Sequence, residues 1–255
     1  MKINKTAARV IDIIQLLAKS KKPLTQLEIS QHLDIPKSST FDLIYTLLDK
    51  KIVEFDNVDL KTFKLSLNVF EIGTSVITKT NLISTSHNEM KNLSEQTDKT
   101  IFLAIESNGD IIYIHRVENQ PSIINSVNLG TRLPMYCTAL GKALLSTYDE
   151  NKIKEIWFSK ENKTSYTKHT IKTYDELYTE LLETKSRGYA LDNHELNNDS
   201  CCIAAPIFCY NSNEAIAAIS LGFVCNNLSE EIISKYAPLI MNTAKKISYN
   251  MGYLL

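Results

Sequence analysis

The pattern of apolar and polar residues at the start of the chain is helical. Ile13 and Leu17 recur at the spacing of one helix face, which predicts a helix over residues 6–19. Thr25 and Glu28 have the spacing of a capping box, in which the threonine caps the helix and the glutamate reaches back to its amide. A short second helix is therefore predicted after Thr25.

A third helix is predicted from Pro36 to about Lys50, because proline fits the first turn of a helix. Its inner face is predicted to hold Phe41, Ile44, Leu47 and Leu48. Its N-terminal outer face is predicted to hold Lys37, Ser38, Ser39 and Thr40, with Tyr45 about one turn further along. Small polar donors at this end suit entry into the major groove of DNA. A plain three-helix packing unit is the alternative interpretation of the same pattern.

The hydrophobic period changes from helical to two after this helix. Residues 52–56 and 62–65 alternate as two short strands around a polar turn, which predicts a hairpin. Three short helices and a hairpin are the layout of a winged helix-turn-helix. We therefore predict a DNA-binding domain over residues 1–66.

The rest of the chain is predicted to be a linker helix and a second domain. Residues 67–83 form one helical stretch with an apolar stripe of Val69, Ile72 and Val76, which suits a linker. Residues 84–255 contain strand pairs, such as 100–106 with 111–117, between helical segments. The prediction is an α+β fold with an antiparallel sheet in residues 84–255.

Composition and charge narrow the class of protein. The chain is 44% apolar and 22% charged, as in soluble globular proteins. Its longest nearly apolar run has ten residues, 215–224, and its N-terminus lacks an apolar leader, so we expect a cytoplasmic protein with no membrane contact. Residues 1–65 carry a net charge of +3 and the remaining residues −4, which is a weak indication that the N-terminal domain contacts nucleic acid.

Motifs for enzyme chemistry are missing from the sequence. Gly141-Lys142 is not a phosphate-binding loop, and neither GxSxG nor HExxH occurs. The five cysteines match no zinc-ligand spacing. We expect no catalytic residue, no metal and no cofactor. One alternative is a thiol enzyme in which Cys202 is the nucleophile and His194 or His115 the base.

Residues 1–65 and two later segments together resemble a known family. The segments are LGTRLPMYCTALGKALL at 129–145 and GYALDNHELNNDSCCIAAPIF at 188–208. They are similar to the isocitrate lyase regulator (IclR) family of bacterial transcription regulators, in the same order and over nearly the whole chain. The resemblance implies an N-terminal winged helix-turn-helix, a linker helix that dimerises, and a GAF-like C-terminal domain that binds a small effector.

The resemblance also implies site residues. Lys37, Ser38 and Ser39 match the family's DNA-binding helix, and Arg9 matches a frequent family arginine that could equally be a surface charge. Asp42 stands where the family often has a basic residue, so a phosphate contact is not carried over to it. The implied effector pocket is formed by Met135, Cys137, Leu140, Asp192, Cys202, Ser220 and Gly222.

Purely structural roles remain open for several of the residues assigned to the pocket. Cys137 and Cys202 could be small buried hydrophobes, as free cysteines often are. The acidic turn that follows Asp192 could be a solvated loop.

The sequence therefore predicts a ligand-responsive DNA-binding regulator. We expect a repressor of a catabolic operon, modulated by a small polar or anionic metabolite. A homodimer, or a tetramer, would match a pseudo-palindromic operator on double-stranded DNA. The alternatives are the thiol enzyme fused to a DNA-binding head, and a protein-interaction module with no role on DNA.

Overall fold

The computed structural model describes residues 3–72, 82–118, 127–159, 163–224 and 228–254. The chain divides into two compact units, Met1–Lys79 and Thr80–Leu255. Residues 67–72 are helical, but most of the predicted linker helix, residues 73–81, lies outside the described ranges. Within these ranges, no helix is both long enough and apolar enough to cross a membrane.

The N-terminal unit contains three helices and a small sheet. Its elements are α1 (Lys5–Lys19), β1 (Leu24–Thr25), α2 (Gln26–Leu33), α3 (Lys37–Asp49), β2 (Val53–Asn57) and β3 (Thr62–Leu65). The sheet is antiparallel with the order β1-β3-β2. Ile13, Ile29, Ile44 and Phe63 form the centre of the core beneath it. The predicted winged helix-turn-helix is confirmed.

Local signals in the sequence set the start and end of α2. The Thr25 hydroxyl accepts from the Glu28 backbone N–H, and the Glu28 carboxylate accepts from the Thr25 N–H at 2.7 Å. The hydrogen bonds that the Glu28 carboxylate accepts from the Thr25 N–H, from Lys22 and from the Thr25 hydroxyl lower its pKa to about 2. Asp34 ends the helix in the left-handed conformation, at φ 50°. The predicted capping box is therefore confirmed.

The orientation of α3 differs from the prediction at two neighbouring positions. Thr40 is fully buried with Ile44 and Leu47, whereas Phe41 is exposed. The Thr40 hydroxyl donates to the Pro36 carbonyl at 3.1 Å, and it also approaches the Ile35 carbonyl. The contact between α2 and α3 thus has room for a small side chain that can hydrogen-bond to the backbone. Placing Thr40 outside and Phe41 inside was wrong.

The C-terminal unit is a six-stranded sheet with helices on both faces. Its strands are β4 (Thr100–Ser107), β5 (Asp110–Val117), β6 (Arg132–Pro134), β7 (Ala190–Asn193), β8 (Ser200–Ile207) and β9 (Ala217–Val224). Its helices are α4 (Leu82–Thr97), α5 (Ala139–Leu145), α6 (Glu150–Phe158), α7 (Tyr174–Arg187) and α8 (Glu230–Asn250). The strands are antiparallel in the order β6-β5-β4-β9-β8-β7, so the predicted α+β fold is confirmed.

Strand alternation separates two cores. Ile101 and Leu103 of β4 join the core beneath α4 and α8, whereas Phe102 and Ala104 join the core beneath α5, α6 and α7. The same alternation in β8 and β9 turns Cys202 and Ala218 toward the α5 side. Ser220, two residues after Ala218, belongs to the same face, and this face carries the cavity described next.

Candidate functional site

A cavity of about 440 Å³ lies on the α5 side of the sheet, next to the start of α5. Four of the predicted effector residues line it: Leu140, Asp192, Cys202 and Ser220. They come from α5, β7, β8 and β9, and the pairing of the strands brings them together. Asp192 is opposite Cys202, Cys202 is opposite Gly222, and Ala204 is opposite Ser220.

Three predicted effector residues do not line this cavity. Met135 and Cys137 belong to a short 3₁₀ turn, Met135–Cys137, and are buried in the core beneath α5. Cys137 is fully buried in this core, where its thiol donates a weak hydrogen bond to the Pro134 carbonyl at 3.9 Å, so it packs as a small core side chain. Gly222 pairs with Thr100 and Cys202 inside the sheet, and it has no side chain to present.

Polar side chains from several elements line the cavity, and three of them, Tyr113, Asp192 and Ser220, come from buried positions of the sheet. Asp192 accepts the Glu195 backbone N–H at 2.8 Å through Oδ1. Burial, followed by the nearby charge of Glu195, raises the pKa of Asp192 to about 7. Burial also raises the pKa of Tyr113, so its hydroxyl stays neutral. These three strand residues offer the cavity two hydroxyl groups and one carboxyl group that titrates near neutral pH.

The turn after Asp192 is buried and held from several sides. His194 and Glu195 are both buried, and His194 has a left-handed backbone at φ 62°. The hydroxyls of Thr167 and Thr170 donate to the carbonyls of His194 and Glu195, each at 2.6 Å. The interpretation of this segment as a solvated loop was wrong, because its backbone acceptors are satisfied inside the protein.

A buried lysine anchors the same turn through its side chain. Lys142 Nζ lies 2.5 Å from a Glu195 carboxylate oxygen and 3.6 Å from one of Glu180. Arg187 donates to the same Glu180 oxygen at 2.6 Å. This chain of alternating charges links α5 and α7 to the turn that carries Asp192. Sequence reasoning met Lys142 in a rejected phosphate-binding loop and in a segment that resembles the family, and it assigned the residue no role in the site.

Cys202 is poorly suited to be a nucleophile. Burial, and then the charge of Asp192, raises the pKa of its thiol, so the thiolate is disfavoured. His194 Nε2 lies 3.4 Å from the Cys201 sulfur, and His115 Nε2 lies 3.0 Å from His87 Nδ1. Among the described residues, no histidine bonds to Cys202, which speaks against the thiol-enzyme alternative.

Sequence reasoning missed Tyr113 as a cavity residue. Tyr113 lies two residues after the buried Ile111 on β5, so both side chains are on the same inward face of the strand. A tyrosine at an inward position of a buried strand carries a hydroxyl that needs a partner. That signal could have identified it.

The α3 surface of the N-terminal unit carries most of the predicted DNA-contact residues. Lys37, Ser38 and Tyr45 are exposed, and Ser39 is half-buried. Arg9 is half-buried on α1. Thr40 is removed from this surface because its hydroxyl is used inside the domain. Asp42 is exposed on the outer face of α3.

A metal centre does not emerge from the part of the chain that the structure describes. No group of three or more His, Cys, Asp or Glu side chains is placed there to hold an ion. The chemistry of the cavity is that of hydrogen bonding in a partly apolar space.

Comparison with known proteins connects both sites to one family. Residues 6–57 match the IclR helix-turn-helix domain, and residues 74–249 match the bacterial transcriptional regulator IclR C-terminal domain. The HTH-type transcriptional regulator KdgR of Escherichia coli is 31% identical over 96% of this chain and 92% of its own. The transcriptional repressor IclR of the same organism is 25% identical over 96% of this chain and 89% of its own.

Solved structures agree with the sequence matches. The crystal structure of the Agobacterium tumefaciens repressor BlcR superposes with a TM-score of 0.82 at 25% identity, covering 98% of both chains. The C-terminal domain of Escherichia coli KdgR superposes with a TM-score of 0.62 at 33% identity, covering 68% of this chain and all of that domain. The matches to both family domains and to KdgR over nearly the whole chain establish that it belongs to the IclR family of bacterial transcriptional regulators.

Proposed function

We propose that this regulator is a repressor of a catabolic operon whose DNA binding is modulated by a small polar or anionic metabolite. One observation carries the proposal: Leu140, Asp192, Cys202 and Ser220, which are distant in sequence, converge on one 440 Å³ cavity. The chain also has a separate helix-turn-helix unit for the operator. The names of IclR and BlcR as repressors support the sign of regulation.

The proposed effector carries both hydroxyl and carbonyl or carboxylate groups. The hydroxyls of Ser220 and Tyr113 can donate to a carbonyl or carboxylate oxygen. Asp192 donates when it is protonated and accepts from a ligand hydroxyl when it is ionised. Its pKa of about 7 makes both forms accessible at neutral pH. Leu140 and Cys202 supply apolar surface around these groups.

The operator contacts are proposed to come from α3 and α1. Lys37 and Ser38 stand at the exposed N-terminal turn of α3, where side chains of a second helix-turn-helix helix meet base edges and phosphates. Ser39 and Tyr45 extend this surface, and Arg9 of α1 is proposed as a phosphate contact. Asp42 could accept from a cytosine amino group, whereas it would repel a phosphate.

The protein is proposed to act as a cytoplasmic homodimer that does not turn over its ligand. A single short helix reads only a few base pairs, so two copies on a pseudo-palindromic site are needed for a full operator. A tetramer would pair two such dimers. The neutral thiol of Cys202 supports binding rather than catalysis.

The test is a titration of wild type and Ser220→Ala with a panel of hydroxy acids, keto acids and sugars. A compound whose binding is detected by calorimetry should also lower the affinity of the protein for its operator. Ser220→Ala should weaken the binding of that compound by about 3- to 10-fold, because one hydrogen bond is worth about 0.5–1.5 kcal/mol.

Ser234→Ala is the matched control, since Ser234 is an exposed serine of α8 and does not line the cavity. Operator binding without ligand should be the same in all three proteins. A Ser220→Ala protein that responds to the compound as wild type does would contradict this placement of the effector.

A further inference from the structure

Two exposed aromatic rings stand on the outer face of α3. Phe41 is 44% exposed and Tyr45 is 40% exposed. Their ring centroids are 4.1 Å apart at an angle of 32°. Neither ring belongs to the core of the N-terminal unit or to the partly buried residues packed on it. The pair therefore stands outside the core of the domain and presents an aromatic surface on the outer face of α3.

The charged residues of α3 leave a single cation for reading bases. The helix sequence KSSTFDLIYTLLD contains no arginine, so the paired hydrogen bonds of arginine to guanine cannot come from it. Its one cation is Lys37, at the first position, and Asp42 and Asp49 make the rest of the helix acidic. Beyond Lys37, the means of base recognition on this face are small hydroxyls, a carboxylate and the two rings.

We propose that Phe41 and Tyr45 read the C5-methyl groups of thymines in the operator. The thymine methyl is the apolar feature of the major groove, and aromatic and aliphatic side chains recognise it by contact. The inference rests on the proposed role of α3 at the operator.

The two rings are close enough together to reach neighbouring bases. Residues four apart on a helix are displaced by about 6 Å along its axis, and base pairs are stacked about 3.4 Å apart. Phe41 and Tyr45 thus reach bases within about two steps of each other. Ser38 and Asp42 flank the rings on the same exposed face and can meet the polar edges of adjacent bases. Each half-site should therefore contain one or two thymines whose methyl groups are required.

The experiment replaces thymine by deoxyuridine, which removes the methyl group and keeps every hydrogen-bonding atom. Operator half-sites are first defined by selection from random duplexes with the full-length protein. Each thymine is then replaced singly, and affinity is measured for wild type, Phe41→Ala, Tyr45→Ala and Tyr45→Phe. Burial of one methyl group is worth about fourfold in affinity.

The proposal expects one or two thymines per half-site at which wild type loses about fourfold. Phe41→Ala or Tyr45→Ala should be insensitive to the same replacement, whereas Tyr45→Phe, which keeps the ring, should remain sensitive. Circular dichroism confirms that the variants fold, as expected for exposed positions.

Two results would overturn the inference and leave the operator function standing. One is specific binding that tolerates every replacement, and the other is a methyl effect of equal size in both alanine variants. Failure to select any preferred duplex would instead overturn the proposed operator function itself.

Discussion

Asp192 shows how a single buried side chain can combine ligand contact with a pH response. Its carboxyl group is 3% exposed, accepts backbone N–H groups of the following turn and faces the cavity. Lys142 offsets the charge of Glu195 nearby, but burial still favours the protonated form of Asp192. The residue is therefore poised to change protonation when a ligand arrives.

Asp192→Asn should remove a pH-dependent loss of stability. The pKa of Asp192 is raised from 3.8 to about 7, so the folded protein binds this proton more tightly than the unfolded chain. Below about pH 4 both states are protonated and no stability is lost. As the pH rises toward 7, wild type should lose up to roughly 4 kcal/mol, at about 1.4 kcal/mol per pH unit.

Urea unfolding followed by Trp157 fluorescence measures this effect, because Trp157 is the only tryptophan and lies in the C-terminal unit. The difference between the variant and wild type should grow from pH 4 to pH 7 in favour of the variant. A constant difference across this range would mean that Asp192 does not titrate there.

At the scale of elements, the contact between α5 and the 3₁₀ turn before it depends on one glycine. A Cβ atom on Gly141 would lie 2.3 Å from both the Cα and the carbonyl oxygen of Met135. Backbone atoms cannot move aside as the end of a side chain can. The close approach places Leu140 at the cavity wall and Lys142 at the buried turn.

Gly141→Ala should destabilise the C-terminal unit by about 3 kcal/mol, since the added methyl group overpacks a backbone contact. Gly130→Ala is the control: its φ of 84° disfavours alanine, but nothing lies within 4 Å of the added atom. The control should cost only about 1–2 kcal/mol, from backbone strain. Equal losses in urea unfolding would refute the role of the close contact.

The outer face of α3 is the second element whose role can be tested separately. Replacing Ser38 and Ser39 together by alanine should weaken specific operator binding by about 1–3 kcal/mol per lost base contact. Binding to a nonspecific duplex should be unchanged, because that affinity comes from phosphate contacts. Gel-shift titrations on both duplexes measure the two affinities. An unaltered operator affinity would show that Ser38 and Ser39 are not at the DNA interface.

At the scale of the whole molecule, the start of the linker exposes large apolar side chains. Leu67 is 83% exposed and Phe70 is 69% exposed in the single chain. These residues lie in the first turns of the 67–83 segment, for which the family resemblance implies a dimerising helix. Coverage by a second copy would bury them and bring two α3 helices to one operator.

Phe70→Asp should convert the assembly to monomers that bind the operator poorly, because a charge in an apolar interface is costly. Leu60→Asp is the control, since Leu60 is 68% exposed and lies in the turn between β2 and β3. Sedimentation velocity should show a change in mass for Phe70→Asp alone. An assembly that survives Phe70→Asp would exclude this interface.

Much of the architecture could be predicted from local sequence. The capping box at Thr25 and the two hairpins depend on residues close together in the chain, and the structure confirms them. The helix α6 and the strand β7 were not predicted from the pattern, because both are short and only partly apolar. The sequence motifs were also sufficient on their own to indicate the family.

Only the tertiary structure decided which residues face each other. Neighbouring residues on a helix differ by about 100° around its axis, so a pattern alone did not separate Thr40 from Phe41; the fit of a small hydroxyl side chain between α2 and α3 did. Motif position grouped Met135 and Cys137 with Asp192, Cys202 and Ser220. The pairing of β7, β8 and β9 then brought the last three to one cavity and left the first two in the core. Such convergence depends on contacts between residues far apart in the chain, which local periodicity does not encode.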